Sequence, residues 1–194
     1  RAGELNRLAG EHPGRLHVLP LDVAAPKSIA ELARELPLVL DGVDLLVNNA
    51  GVLHAGERFG AVTAEHLDDS LRTNASGPFL VTQALAPQLA DGATVANVSS
   101  RLGSIAGVEA FRTPSYAIAK AAQNMATALL ARALAERGIV VLALHPGWVR
   151  TDMGGADAPL DIDSSCKGMA LQVSAAVGQP GLRYLDYQGN PLPW

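Results

Sequence analysis

Apolar residues fall alternately into short continuous runs and into helical spacing along the chain. The first polar segment, Glu4, Leu5, Leu8 and Ala9 before His12-Pro13-Gly14, reads as the end of a helix. Leu16-His17-Val18-Leu19-Pro20-Leu21 then predicts a strand, imperfect at Pro20, with Asp22 at its C-terminal tip. Pro26 suits a first helical turn, and Ile29, Leu32, Ala33 and Leu36 repeat at helical spacing before Pro37. Val43-Asp44-Leu45-Leu46-Val47 predicts a second, buried strand running into Asn48-Asn49-Ala50-Gly51, and Thr63 offers an N-cap to the next helix. A further helix after Asn74 carries Phe79, Leu80, Leu85 and Leu89. Residues 93–98 predict a strand, residues 115–136 a long Ala-rich helix closed by Gly138, and residues 139–144 another strand. Asp161 or Asp163 caps a helix to about Val177, and Leu182–Asp186 is a short last strand.

Strand and helix alternate at the spacing of right-handed crossover units, which predicts an α/β fold with a doubly wound, mostly parallel sheet. Such sheets bind ligands at the C-terminal ends of their strands, where Asp22, Asn48, Asn49, Ser99, Ser100 and His145 collect. Composition agrees: 48% of residues are hydrophobic and only 4% aromatic, as expected where helices cover both faces of a parallel sheet. The 194 residues fit a single domain. The net charge of −4 is spread without a basic stripe, which argues against nucleic-acid partners and anionic membrane surfaces. One cysteine, Cys166, cannot form an internal disulfide, and no stretch of about 20 apolar residues suggests a membrane span. A reducing, cytoplasmic setting is the expectation.

The candidate chemistry centres on Tyr116 and Lys120, four apart and therefore on one face of the long helix. Alone, the pair is no more than a lysine beside a half-buried tyrosine. In a functional arrangement, an ammonium about 4 Å from a phenol contributes roughly 4 kcal/mol at an effective dielectric near 20, enough to move the phenol about three pKa units toward neutrality. Tyr116 would then serve as a general acid or base. Ser100, at a strand end, could hydrogen-bond a substrate oxygen, although Ser99 and Ser104 are rivals and each could be a turn or cap serine. A Ser-Tyr-Lys set also occurs in hydrolytic chemistry, so the trio does not by itself specify redox.

Five segments occur in one order along this pattern: Asn48-Asn49-Ala50-Gly51, Thr73-Asn74-Ala75-Ser76-Gly77, Val98-Ser99-Ser100, Tyr116-x-x-x-Lys120 and His145-Pro146-Gly147-Trp148-Val149-Arg150-Thr151. Together they resemble the short-chain dehydrogenase/reductase family over essentially the whole chain. The resemblance implies NAD or NADP as cofactor and a small-molecule carbonyl or alcohol substrate. Ser100, Tyr116 and Lys120 match the catalytic serine, tyrosine and lysine, and Asn74 the asparagine that helps hold a water chain to that lysine. Asp22 with Val23, the backbone of Asn49-Ala50-Gly51, and Pro146, Gly147, Val149 and Thr151 match cofactor-binding positions, to which Tyr116 and Lys120 also belong. His145 is read only as a hydrogen-bonded strand-end residue and Trp148 as a packing aromatic. The family's usual subunit contacts imply a homodimer or homotetramer through the long helix and the one after Asn74.

Ser99-Ser100-Arg101-Leu102-Gly103-Ser104-Ile105, Thr151-Asp152-Met153-Gly154-Gly155 and the tail from Leu185 to Trp194 resemble the C-factor and Sniffer-like carbonyl reductases within that family. That subgroup carries an extended loop between serine and tyrosine, in keeping with the long spacing from Ser100 to Tyr116. The Gly-x-x-x-Gly-x-Gly turn that would meet the cofactor's pyrophosphate is not in the sequence. The expectation is therefore a Rossmann-type domain lacking its first strand-helix-strand unit, with an apolar sheet edge exposed as a result. Two function classes follow: a nicotinamide-dependent oxidoreductase, or a redox-silent signalling or interaction protein of the C-factor type.

Overall fold

A computed structural model describes residues 2–194. Helix α1 (Ala2–Glu11) and helix α2 (Pro26–Glu35) precede strand β1 (Val43–Asn48). Helix α3 (Ala64–Leu71) starts at the expected cap, where Thr63 accepts a hydrogen bond from His66 N–H at 3.2 Å. One turn of π-helix (Arg72–Ser76) joins α3 to helix α4 (Gly77–Leu85), so Asn74 lies inside a π-bulge rather than before a new helix. Strand β2 (Leu89–Val98), helix α5 (Pro114–Ala133), strand β3 (Val140–His145), helix α6 (Ile162–Ala176) and strand β4 (Leu182–Asp186) complete the chain. Asp161 is the cap of α6, accepting from Ser164 N–H at 2.7 Å, and Gly138 takes the left-handed conformation that closes the segment after α5.

All strand pairs are parallel and the order is β1-β2-β3-β4, with α/β crossovers between neighbours. Leu89, Val95, Ile139 and Val141 pack beneath Leu130 of α5 and Leu134 just after it on one face. On the other, Ala96, Val140, Leu142 and Leu144 pack beneath Met169, Val173 and Ala176 of α6. Every residue of β3 is buried, as a strand covered on both faces should be. Helix α2 packs through Ile29 and Leu32 onto Val81 and Leu85 of α4.

The expected strand at residues 16–21 does not form. A strand exists only through a hydrogen-bonded neighbour, and among the described residues that segment has none; Pro20 also lacks the N–H a ladder needs. Across from it, Leu45 and Val47 of β1 are 45% and 50% exposed. Val47 is paired with Ala96 and so lies on the α6 face of the sheet, but α6 packs on β2 and β3. A slot of about 200 Å³ remains between these segments, lined by Leu21, Val23, Leu46, Val47 and Pro78 among others. Among the described residues no helix is long and apolar enough to cross a membrane.

Candidate active site

Parallel pairing brings the ends of all four strands to one edge of the sheet. Asn49 follows β1, Ser99 and Ser100 follow β2, His145 ends β3 and Asp186 ends β4. The floor beneath is tied by buried amides: Asn48 donates to Asn97 at 2.8 Å, and Asn97 donates to Thr127 of α5 at 2.9 Å. These bonds satisfy polar groups that would otherwise be costly to bury, and they fix α5 against the central strands.

Helix α5 brings Tyr116 and Lys120 onto the same face, with Lys120 Nζ 5.5 Å from the centre of the Tyr116 ring. The Ser100 side chain is close enough to the Tyr116 phenol to lower its pKa. Its two rivals are engaged elsewhere: Ser99 donates to Asn124 at 2.6 Å, and Ser104 accepts from Gly107 N–H at 3.0 Å. Ser100 itself caps a short turn by accepting from Leu102 N–H at 3.2 Å, and its carbonyl is held by the Tyr184 hydroxyl at 2.5 Å.

The electrostatics depart from the expectation. Burial holds the Tyr116 phenol above its ordinary value, and the nearby Ser100 side chain opposes that only in part. Lys120 directs its ammonium to Val98 C=O at 2.7 Å and Gln123 Oε1 at 2.9 Å rather than to the phenol, and burial lowers its pKa to about 8. At neutral pH the pair is a protonated phenol beside a protonated amine. The predicted descent of the phenol toward neutrality is therefore corrected: burial is the largest influence on it and raises it, while the ammonium is bonded to other acceptors.

Asn74 is fully buried in the π-turn. Its amide clamps one residue after the β1 loop, accepting from Val52 N–H at 2.8 Å and donating to Val52 C=O at 2.9 Å. Asn49, Ala50 and Gly51 are exposed at the end of β1. Asp22 accepts from Ala24 N–H at 2.9 Å in a turn leading to α2, and Val23 packs against Gly77, where a Cβ would meet it at 3.0–3.1 Å. Pro146 C=O accepts from Ser165 of α6 at 2.7 Å, Val149 pairs with Leu160, and Thr151 Oγ1 accepts from Gly154 N–H at 3.1 Å. His145 is not satisfied as expected: its Nδ1 is buried without a partner, and burial with the nearby Arg101 charge lowers its pKa to about 4. Trp148 does not pack inside; it is 57% exposed and donates to Gly154 C=O at 2.7 Å.

Three residues here carry no mark in the sequence reading. Gln123, the acceptor for Lys120, sits at the i+3 position where a partner could have been sought. Tyr184 and Glu57 reach the site from distant segments, with no local pattern to reveal them.

The donor set fits the nicotinamide-ribose end of a dinucleotide. Lys120 uses two of three N–H donors on protein acceptors, and the residues that follow β1 are exposed.

Comparison with known proteins agrees with this geometry. The family described as enoyl-(acyl carrier protein) reductase matches residues 1–172. The C-signal protein of Myxococcus xanthus is 41% identical over 154 residues, covering 78% of this chain and 93% of that protein. Carbonyl reductase Sniffer of D. melanogaster superimposes with a TM-score of 0.92 at 33% identity, over 100% of this chain and 84% of that one. The NADPH-bound carbonyl reductase from chicken fatty liver gives a TM-score of 0.89 at 34% identity, over 100% of this chain and 82% of its own.

Proposed function

The chain belongs to the short-chain dehydrogenase/reductase family of oxidoreductases, and on that premise we propose that it forms one catalytic domain reducing the carbonyl group of a small molecule to an alcohol. The observation that carries this reading is the buried Lys120 ammonium 5.5 Å from the centre of the Tyr116 ring, with the Ser100 side chain beside the same phenol.

A bound nicotinamide cofactor supplies the hydride. NADP(H) is the form proposed first, since it is bound in the chicken carbonyl reductase, with NAD(H) as the alternative. Lys120 would hold the ribose hydroxyls beside the nicotinamide. Asn49, Ala50, Gly51, Pro146, Gly147, Val149 and Thr151 would line the rest of the cofactor, with Asp22 and Val23 toward the adenine.

Ser100 orients the substrate oxygen by donating its hydroxyl hydrogen to it. Tyr116 gives that oxygen its proton as the carbon becomes an alcohol. A phenol held above its ordinary value is protonated at neutral pH, the form that can give a proton to the substrate oxygen. Lys120 offsets the negative charge that forms on the phenolate, and Asn74 keeps the loop after β1 fixed to the π-turn behind α5. The same reading includes a homodimer or homotetramer, supported by the exposed Ile118, Met125 and Leu129 along α5.

Similarity to the C-signal protein of Myxococcus xanthus supports a second reading, in which the chain acts by binding, without redox turnover. The assay is loss of reduced-nicotinamide absorbance by the intact protein with small aldehydes and ketones, run with NADPH and with NADH. Turnover with either supports the reductase. Neither turnover nor binding, by nicotinamide fluorescence, would leave the second reading.

A further inference from the structure

The helix that carries Tyr116 and Lys120 begins without a cap of its own. Thr113 at its start sits at φ 38°, and among the described residues it is the only non-glycine residue with positive φ. Its hydroxyl is buried without a partner and caps nothing. Pro114 has no N–H to offer, so Ser115 N–H is the first donor that α5 presents. Between Ser104 and Thr113 the chain lies open, with Ile105 and Val108 77% and 67% exposed, and Phe111, 54% exposed, meets the ring of Phe59 edge-on at 5.8 Å.

The acceptor comes from 58 positions earlier in the chain. Glu57, in the connection between β1 and α3, accepts from Ser115 N–H at 3.2 Å and from the Ser115 hydroxyl at 2.8 Å. The Glu57 side chain is only 1% exposed and Ser115 is fully buried. Ser70 of α3 donates to the Ser115 hydroxyl at 3.2 Å. The other carboxylate oxygen lies 3.4 Å from His66 Nδ1, and His66 stacks flat on His54 with ring centres 4.1 Å apart. His54 in turn bonds Asp69 at 2.9 Å. His66, Asp69 and Ser70 all belong to α3, which runs directly into the turn holding Asn74.

We propose that Glu57 is a positioning residue: its buried carboxylate pins the first turn of α5 to α3 and thereby sets Tyr116, the next residue, against Ser100. A carboxylate at a helix N-terminus also meets the positive end of the helix dipole, so its charge favours the same geometry. Without it only the Ser70–Ser115 bond remains to oppose relaxation of the left-handed start at Thr113, and the phenol moves with it.

This inference rests on Tyr116 being the proton donor, so Tyr116→Phe is run beside Glu57→Ala, Glu57→Gln and wild type in the intact protein. Glu57→Ala is expected to lower kcat about 10- to 100-fold while cofactor KM changes less than about twofold. Its solvent deuterium isotope effect on kcat should rise as proton transfer becomes slower. The Ser115, Tyr116 and Ala117 amides should exchange hydrogen faster. Glu57→Gln keeps an oxygen acceptor for Ser115 N–H and is expected to recover most of the turnover. If Tyr116→Phe is inactive while Glu57→Ala keeps wild-type kcat and isotope effect, the proposal alone is overturned. It is overturned as well if turnover of Glu57→Ala falls only in proportion to its unfolded fraction. An active Tyr116→Phe removes the underlying reading, and the proposal with it.

Discussion

Lys120 Nζ stands 5.5 Å from the centre of the Tyr116 ring, yet its hydrogen bonds go to Val98 C=O and Gln123 Oε1. The ammonium is thus held by the end of β2 and by its own helix, in a position that serves the phenolate formed during turnover more than the resting phenol. Burial sets the properties of both groups: it raises the phenol and lowers the amine to about 8.

The buried amine has a consequence for stability. Its folded pKa of about 8 lies below the ordinary value of 10.5, so the unfolded chain binds the extra proton between those limits. The stabilisation is full above 10.5 and is lost as pH falls toward about 8; a shift of that size corresponds to about 3 kcal/mol at most. Relative to Lys120→Met, the unfolding free energy of wild type should therefore rise from pH 8 to pH 10, measured by denaturant titration. Parallel profiles for the two proteins would contradict the burial argument.

The uncovered side of β1 leads to a second expectation. Leu45 and Val47 are half exposed on a strand with no neighbour on its outer side among the described residues. Edges of this kind recruit other strands. The 194-residue chain should self-associate, and Val47→Lys should reduce that association in sedimentation velocity. Equal association of the two would show that this edge is not the contact.

Much of this architecture is legible in the sequence because its signals are local. Thr63 and Asp161 cap helices through their own side chains, Gly138 supplies a left-handed turn, and Tyr116 and Lys120 share a face by spacing alone. The segment at residues 16–21 misled because strand propensity cannot supply a pairing partner. Asn74 was placed before a helix because one extra residue per turn, the mark of a π-bulge, leaves no signature in hydrophobic spacing. The phenol's pKa could not be read from spacing, since burial, the larger effect, depends on tertiary packing. Glu57 and Tyr184 were missed for the same reason: each meets the site through a contact between distant segments.

The central claim is that Tyr116 passes a proton to the oxygen held by Ser100. Its most direct test is the kcat of Tyr116→Phe in the intact protein at saturating reduced nicotinamide cofactor and carbonyl substrate, with cofactor affinity measured separately. The account predicts a fall of at least about a hundredfold, the contribution general acid catalysis commonly makes, with cofactor binding largely intact. Turnover near the wild-type rate would contradict it.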